Sequence, residues 1–309
     1  MSGVGKGVAS ASIGAMLKAR GLRVTAVKID PYINVDAGTM NPVEHGEVFV
    51  TKDGYETDQD MGNYERFLDE DITSVNYMTT GRVYQAVIQR ERSLGYGGKQ
   101  VLVVPHVPLE VIDRIQRAAE EANADVTIVE IGGTVGEYEN LLFLEAVRIM
   151  QFKTPADVLV GLVSYFPIPG SIGEMKSKPT QLAIRALHAT GLRPDFVIGR
   201  SSNPIDQPRK EKIALYCSLN PEDIISAPDV SSIYQVPLRF NEQGLCDRLV
   251  KKLNLKSKPA NIAAWKDLNH RIQTSSKVVR IGIVGKYVST GDFTLTDAYL
   301  SVIEAVKHA

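Results

Sequence analysis

Near the start of the chain, Gly3-Val4-Gly5-Lys6-Gly7 sets three glycines and a lysine ahead of a helical stretch. Glycines let the backbone approach a polyphosphate, N–H groups at a helix N-terminus favour anions, and a lysine neutralises phosphate charge. The pattern is half of a Walker loop. The full form has an upstream glycine and a Ser or Thr after the lysine, where Gly7 stands here. By itself the stretch reads equally well as a flexible glycine-rich terminus.

Other residues suit the same chemistry. Lys28 closes a short apolar run and can reach phosphate at the end of the sheet where the loop sits. Asp53, Glu56, Asp58 and Asp60, with Glu47 just before them, form an acidic cluster; such clusters usually lie on solvated surface, but magnesium between phosphates needs one or two carboxylates. Glu130 is the best single metal candidate, because it closes an apolar run and precedes Gly132-Gly133-Thr134. A carboxylate leaving a buried strand has few structural reasons to be there. The stretch 174–181 places Lys176 and Lys178 at a helix start with Pro179 in its first turn, a second anion site and so room for a second nucleotide.

The elements that must position these residues alternate. A helix is expected over Val8–Arg20, stopped by Gly21, and then a strand over Arg23–Ile29. Short apolar runs at Val101–Val104, Val126–Val129, Val158–Val163, Phe196–Ile198 and Ile224–Ile225 read as strands covered on both faces. Between them, helices are expected over 80–92, 109–123, 140–152, 179–190, 211–218 and 241–253. The result is an α/β, doubly wound, mostly parallel sheet with ligands at the carboxyl ends of its strands. This unit is expected to span 1–253, a linker with one helix 254–277, and a second α/β domain to begin at 278–309 with a strand over Val278–Val284 and a helix from about Thr296 to His308.

Bulk properties exclude several classes. The 309 residues are 44% hydrophobic and 23% charged with a net charge of −1, so a soluble globular protein with no global basic field is expected, and nucleic acid is not an expected partner. No apolar run approaches the ~18 residues that span a bilayer, and no signal peptide is evident, so a cytoplasmic protein without a membrane partner is expected. Cys217 and Cys246 lack metal-ligand spacing and read as buried thiols.

Taken together, the motifs resemble the synthetase (amidoligase) domain of the CTP synthase family. The matching stretches are 2–7, 28–36 (KIDPYINVD), 45–50, 62–67, 79–82, 130–136 (EIGGTVG), 176–181, 229–234 (DVSSIY) and 284–287, in family order along the whole chain. The resemblance implies a P-loop fold of the dethiobiotin-synthetase type. It also implies that ATP phosphorylates the 4-oxygen of UTP and that ammonia, normally from a glutaminase domain acting on glutamine, displaces the phosphate to give CTP. It assigns Lys6 and Lys28 to catalysis at the phosphates, and Gly3, Val4, Gly5, Lys6, Gly7, Asp60, Asp229, Val230 and Ser231 to ATP. Asp60 and Glu130 fall to Mg²⁺. Ser2, Glu137, Tyr138, Glu139, Lys176, Ser177, Lys178, Pro179, Thr180, Gln181 and Lys212 fall to UTP or to CTP as feedback inhibitor. A homotetramer is implied.

The chain departs from the family pattern in places. The family's strand and Gly-Gly-Val ahead of the loop have no counterpart before Met1, and no nucleophile-elbow cysteine follows Lys286, so glutamine hydrolysis is not expected of this chain. The usual Gly-Asp-Ile-Glu is Gly136-Glu137-Tyr138-Glu139, the usual Lys-Thr-Lys is Lys176-Ser177-Lys178, and 93–100 differs from the family's lid-like loop. Beside an ATP-dependent amidoligase, two readings stand: a catalytically incomplete nucleotide-binding fragment that co-assembles with full-length subunits, and a generic ATPase sharing the loop. The second leaves the 174–181 anion site unexplained.

Overall fold

A computed structural model describes residues 3–171, 173–287, 289–290, 293–294 and 297–309. The first helix, α1 (Lys6–Lys18), follows Gly5, whose φ of 84° requires glycine, and Gly21 ends its last turn at φ 80°. Most of α1 is buried, and small residues permit this: Gly14 rests against the side chains of Leu68 and Ile128.

Strand β1 (Val24–Asp30) is buried along its whole length. A short helix α2 (Pro42–His45) and a hairpin of β2 (Val48–Val50) and β3 (Glu56–Asp58) lead into α3 (Asp60–Leu68). Next come β4 (Tyr77–Thr79), α4 (Thr80–Arg92), α5 (Val103–Glu121), β5 (Val126–Ile131) and α6 (Leu141–Lys153). Strands β4, β1 and β5 form a parallel ladder in that order. A second parallel ladder runs β6 (Gly161–Tyr165), β7 (Phe196–Ser201) and β8 (Ile224–Pro228), connected through α7 (Lys178–Ala189) and α8 (Gln207–Cys217). The chain continues through α9 (Val236–Glu242), α10 (Leu245–Lys252) and α11 (Ala263–Thr274), a short pairing of β9 (Ser289–Thr290) with β10 (Phe293–Thr294), and α12 (Leu300–His308).

The expected mostly parallel α/β architecture is therefore what the chain forms, laid out as two three-stranded ladders. One continuous core runs beneath α1, α3 and α9 and draws on both: Val24 and Ala26 from the first, Ile198 and Ile225 from the second. The other face of β1 (Val27, Ile29) packs against α4, α5 and α6. This alternation decides the site, because Lys28 and Asp30 continue the face of Val24 and Ala26 toward α1 and α3.

Three expected elements differ. Residues 101–104 form no strand; α5 begins at Val103, and Leu102, Val103 and Val104 are about half exposed, with no strand among the described residues to pair them. Residues 278–284 also have no ladder partner among the described residues, and this apolar run is exposed instead of forming a strand. The helix expected over 241–253 is two helices, broken where Gly244 takes a φ of 68°.

Candidate functional site at the strand ends

The centre of the site is set by strand register. Lys28 on β1 lies opposite Glu130 on β5, on the same face of the sheet. Each is the first charged residue after an apolar stretch that faces α1 and α3, so both side chains leave the core at one point. From above, α3 adds Asp60 in its first turn and Tyr64 one turn later, on the same helix face.

The Lys28 ammonium donates to Asp60 Oδ2 and, at 3.2 Å, to Glu130 Oε1. It also lies 3.6 Å from Asp30 and 3.9 Å from Asp58. Lys28, Asp30 and Glu130 are each no more than 5% exposed. Burial opposes the charge on Lys28, but Asp30, Glu130, Asp60 and Asp58 together hold its pKa well above the ordinary lysine value. Burial raises Glu130 and Asp30 despite that ammonium, and pushes Asp58 up to about 7. At Asp60 the balance reverses: burial is outweighed by Lys28 and by a hydrogen bond from Asn63, and the carboxyl stays below its usual value. Tyr64 donates to the second oxygen of Glu130. Tyr77 and Tyr32 donate to Asp30 Oδ2 at 3.1 and 3.3 Å.

The glycine loop closes over this cluster. Lys6 donates to the carbonyl of Gly133 at 3.4 Å, and burial lowers its pKa. Gly7 lies so close to Asp60 that a Cβ there would run into the carboxylate. On the loop's other flank, Arg200 at the end of β7 passes Gly5, where a Cβ would meet its Nε at 3.6 Å. Its guanidinium donates to the carbonyl of Ala227 and, at 3.0 Å, to Asp229. Gly3 through Gly7, Lys28, Asp60, Glu130 and Asp229 are thus gathered at the carboxyl ends of the strands. Val230 is half-buried and Ser231 exposed just beyond Asp229, with Gln235 donating to the Ser231 hydroxyl.

The second set of residues sits around the start of α7. Thr180 is buried and bonds Ser164 at 2.9 Å, and Gln181 donates to Ser177, so this helix start is seated on the end of β6. Lys178 and Pro179 are exposed in the first turn, while Lys176 pairs with Glu174. Arg209 in the first turn of α8 donates to the carbonyl of Met175, and Lys212 is exposed one turn further on. Glu137, Tyr138 and Glu139 are exposed beside α7, since Gly136 approaches Ala186. The turn after β5 joins the two sets: Gly133 meets Lys6, and Glu137 accepts from Thr134 N–H, which lowers its pKa. Ser2 lies outside the described residues.

A cavity of about 300 Å³ opens between residues 31–33, the start of α4 and residues 138–143, walled by Tyr32, Ile33, Thr80, Tyr84, Tyr138 and Phe143. Tyr32 connects it to Asp30 and so to Lys28.

Asp30, Tyr64 and Arg200 were not singled out by sequence reasoning, and Asp58 was named only as a member of the acidic cluster. The i, i+4 spacing of Asp60 and Tyr64 on an amphipathic helix was an available signal for Tyr64. Arg200 carried none, since its partners are 27 to 29 residues away.

No group of three or more His, Cys, Asp or Glu among the described residues is arranged to hold a metal ion alone. Asp60 and Glu130 nevertheless fit a magnesium site of the usual phosphate-assisted kind, in which one or two carboxylates suffice and water and phosphate complete the shell. Their fit rests on an observed property: both already direct an oxygen at one cation, the Lys28 ammonium.

Comparison with known proteins adds a family. A family model described as "CTP synthase N-terminus" matches residues 1–255. CTP synthase from Methanosarcina acetivorans is 48% identical over 308 residues, which cover 100% of this chain and 57% of that relative. The CTP synthase of Listeria innocua is 47% identical over 310 residues, and that of Prochlorococcus marinus 46% over 312, again with the whole of this chain aligned. The chain therefore spans a little over half the length of the curated relatives it matches.

Proposed function

The chain belongs to the CTP synthase family, and we propose that it is the ATP-dependent amidoligase part of such an enzyme, converting UTP to CTP. The observation that carries this reading is the Lys28 ammonium between Asp60 and Glu130 beneath the glycine loop. Phosphoryl transfer asks a protein mainly for positioning and charge neutralisation, and this cluster supplies both.

Gly3 to Gly7 and Lys6 hold the ATP phosphates at the N-terminus of α1, where N–H groups and the helix dipole favour anions. Asp229, Val230 and Ser231 flank the adenine side, with Arg200 keeping Asp229 beside the loop. Mg²⁺ held by Asp60 and Glu130 would neutralise phosphate charge. Lys176 to Gln181, Lys212 and Glu137 to Glu139 hold the triphosphate and ribose of UTP, or CTP as inhibitor, and the aromatic walls of the adjoining cavity suit a pyrimidine ring. The γ-phosphate passes to O4 of UTP and ADP leaves. Ammonia then adds to C4, phosphate departs, and one proton is released. On this reading residues 1–253 are the amidoligase unit, 254–277 a linker with α11, and 278–309 the beginning of a glutamine amidotransferase domain. A cytoplasmic homotetramer fed by that domain's ammonia belongs to the same reading.

The test is direct. The purified chain receives UTP, ATP, Mg²⁺ and ammonium, and CTP is measured by chromatography. CTP that requires all four is expected, and a folded chain that binds ATP yet makes none refutes the amidoligase reading. The exposed apolar run at 278–284 favours a second reading, a nucleotide-binding fragment that co-assembles with full-length subunits. Native mass measurements on a mixture with a full-length relative separate the two, because mixed oligomers without added turnover support only the second.

A further inference from the structure

Among the described residues, the most concentrated charge in the molecule is the cluster around Lys28. Four carboxylates, those of Asp30, Asp58, Asp60 and Glu130, lie within 3.9 Å of its nitrogen. The side chain is 4% exposed, so solvent does little to screen these contacts. The other ammonium nearby, Lys6, turns toward the Gly133 carbonyl. The oxygens that Asp60 and Glu130 present to Lys28 are the same donors a divalent cation would need. Magnesium holds carboxylate oxygens at about 2.0–2.1 Å. An ammonium hydrogen-bonded to both oxygens and a metal bonded to both compete for one volume and one set of lone pairs.

We propose that Lys28 is a tethered cation that occupies the metal's place in the ligand-free protein and must be displaced when the metal binds. The proposal rests on the assignment of Asp60 and Glu130 as metal ligands given above. Without Lys28 the carboxylates would repel one another, so the tether offsets part of that repulsion while the site is empty of nucleotide. Displacing the ammonium costs free energy for metal alone. When the metal arrives with ATP, the released amine gains a phosphate partner within the reach of its own side chain. Metal and nucleotide therefore favour each other's binding, and the coupling passes through Lys28.

The experiment measures Mn²⁺ binding to the full chain by electron paramagnetic resonance, with and without a non-hydrolysable ATP analogue. The variants are Lys28→Met, Lys28→Arg and Glu130→Gln. Lys28→Met, which removes the competing charge, is expected to bind Mn²⁺ at least about tenfold more tightly than the wild type without nucleotide. It is also expected to lose the strengthening that nucleotide brings. Lys28→Arg keeps a tethered cation and is expected to stay weak. Unchanged or weaker Mn²⁺ binding in Lys28→Met, with Glu130→Gln still impaired, overturns the placeholder and leaves the metal assignment standing. Unimpaired binding in Glu130→Gln removes the assignment itself and the placeholder with it. If Lys28→Met does not fold, amine acetylation of the wild type read by mass spectrometry decides: Lys28 is expected to be protected alone and labelled once Mg²⁺ is added. Protection that persists at saturating Mg²⁺ overturns the proposal.

Discussion

Glu130→Gln isolates the charge at the centre of the site. Glutamine preserves the volume and can still accept the Tyr64 hydrogen bond through its single carbonyl oxygen. That orientation turns its NH₂ toward the Lys28 ammonium, setting two donors face to face where an ion pair stood. At 3.2 Å and an effective dielectric of about 20, the lost Coulomb attraction is about 5 kcal/mol. Burial of Glu130 and repulsion from Asp60 offset that attraction, which is why the carboxyl sits above its usual value; what the variant loses is an acceptor for the buried Lys28 ammonium, which then faces another donor, at a cost of about 1–3 kcal/mol. Urea denaturation followed by circular dichroism is expected to show a native spectrum with the midpoint lowered accordingly. In the ammonia-dependent CTP assay the same variant is expected to lose at least about 100-fold in turnover at any Mg²⁺ concentration, the scale of removing an electrostatic contact to the transferring group. Wild-type turnover would refute the metal role. Unchanged stability would refute the claim that the Lys28 bond contributes.

Further outcomes follow from other parts of the molecule. Lys178→Ala, at the exposed start of α7, is expected to weaken UTP and CTP binding by calorimetry while ATP binding is kept; equal loss of both would mean the two sets of residues serve one ligand. Burial pushes the thiols of Cys217 and Cys246 up to about 12, so neither is expected to react with a thiol reagent at neutral pH until the protein unfolds; rapid labelling of the native chain would contradict the packing. At Asp53, burial is outweighed by hydrogen bonds from Ser74 and Thr51, which lower the carboxyl to about 2. The native state then binds fewer protons than the unfolded chain between the ordinary aspartate value and about 2. Its stabilisation is present above about pH 4 and lost as pH falls through about 2. Thermal unfolding of Asp53→Asn is expected to fall below wild type at neutral pH and converge with it near pH 2; a gap that is constant with pH would exclude this origin.

The glycine loop, the apolar runs that became β1, β5, β7 and β8, and the helices between them follow from local rules. Periodicity, glycine stops and caps act within a few residues, and a sequence displays them openly. Glu130 stood out for the same reason, as a carboxylate at the end of a buried run. The apolar run at 278–284 shows the limit of those rules: its composition suits a strand, but a strand exists only where a neighbouring edge accepts its hydrogen bonds. Register was equally out of reach. That Lys28 faces Glu130, and not the residue one position away, depends on how β1 and β5 align, and a slip of one strand by one residue would leave the two side chains on opposite faces of the sheet. Lys28 read from sequence as a strand-end lysine free to reach phosphate. The tertiary structure places it between Asp60 and Glu130, residues 32 and 102 positions away, because only folding brings α3 and β5 around the end of β1.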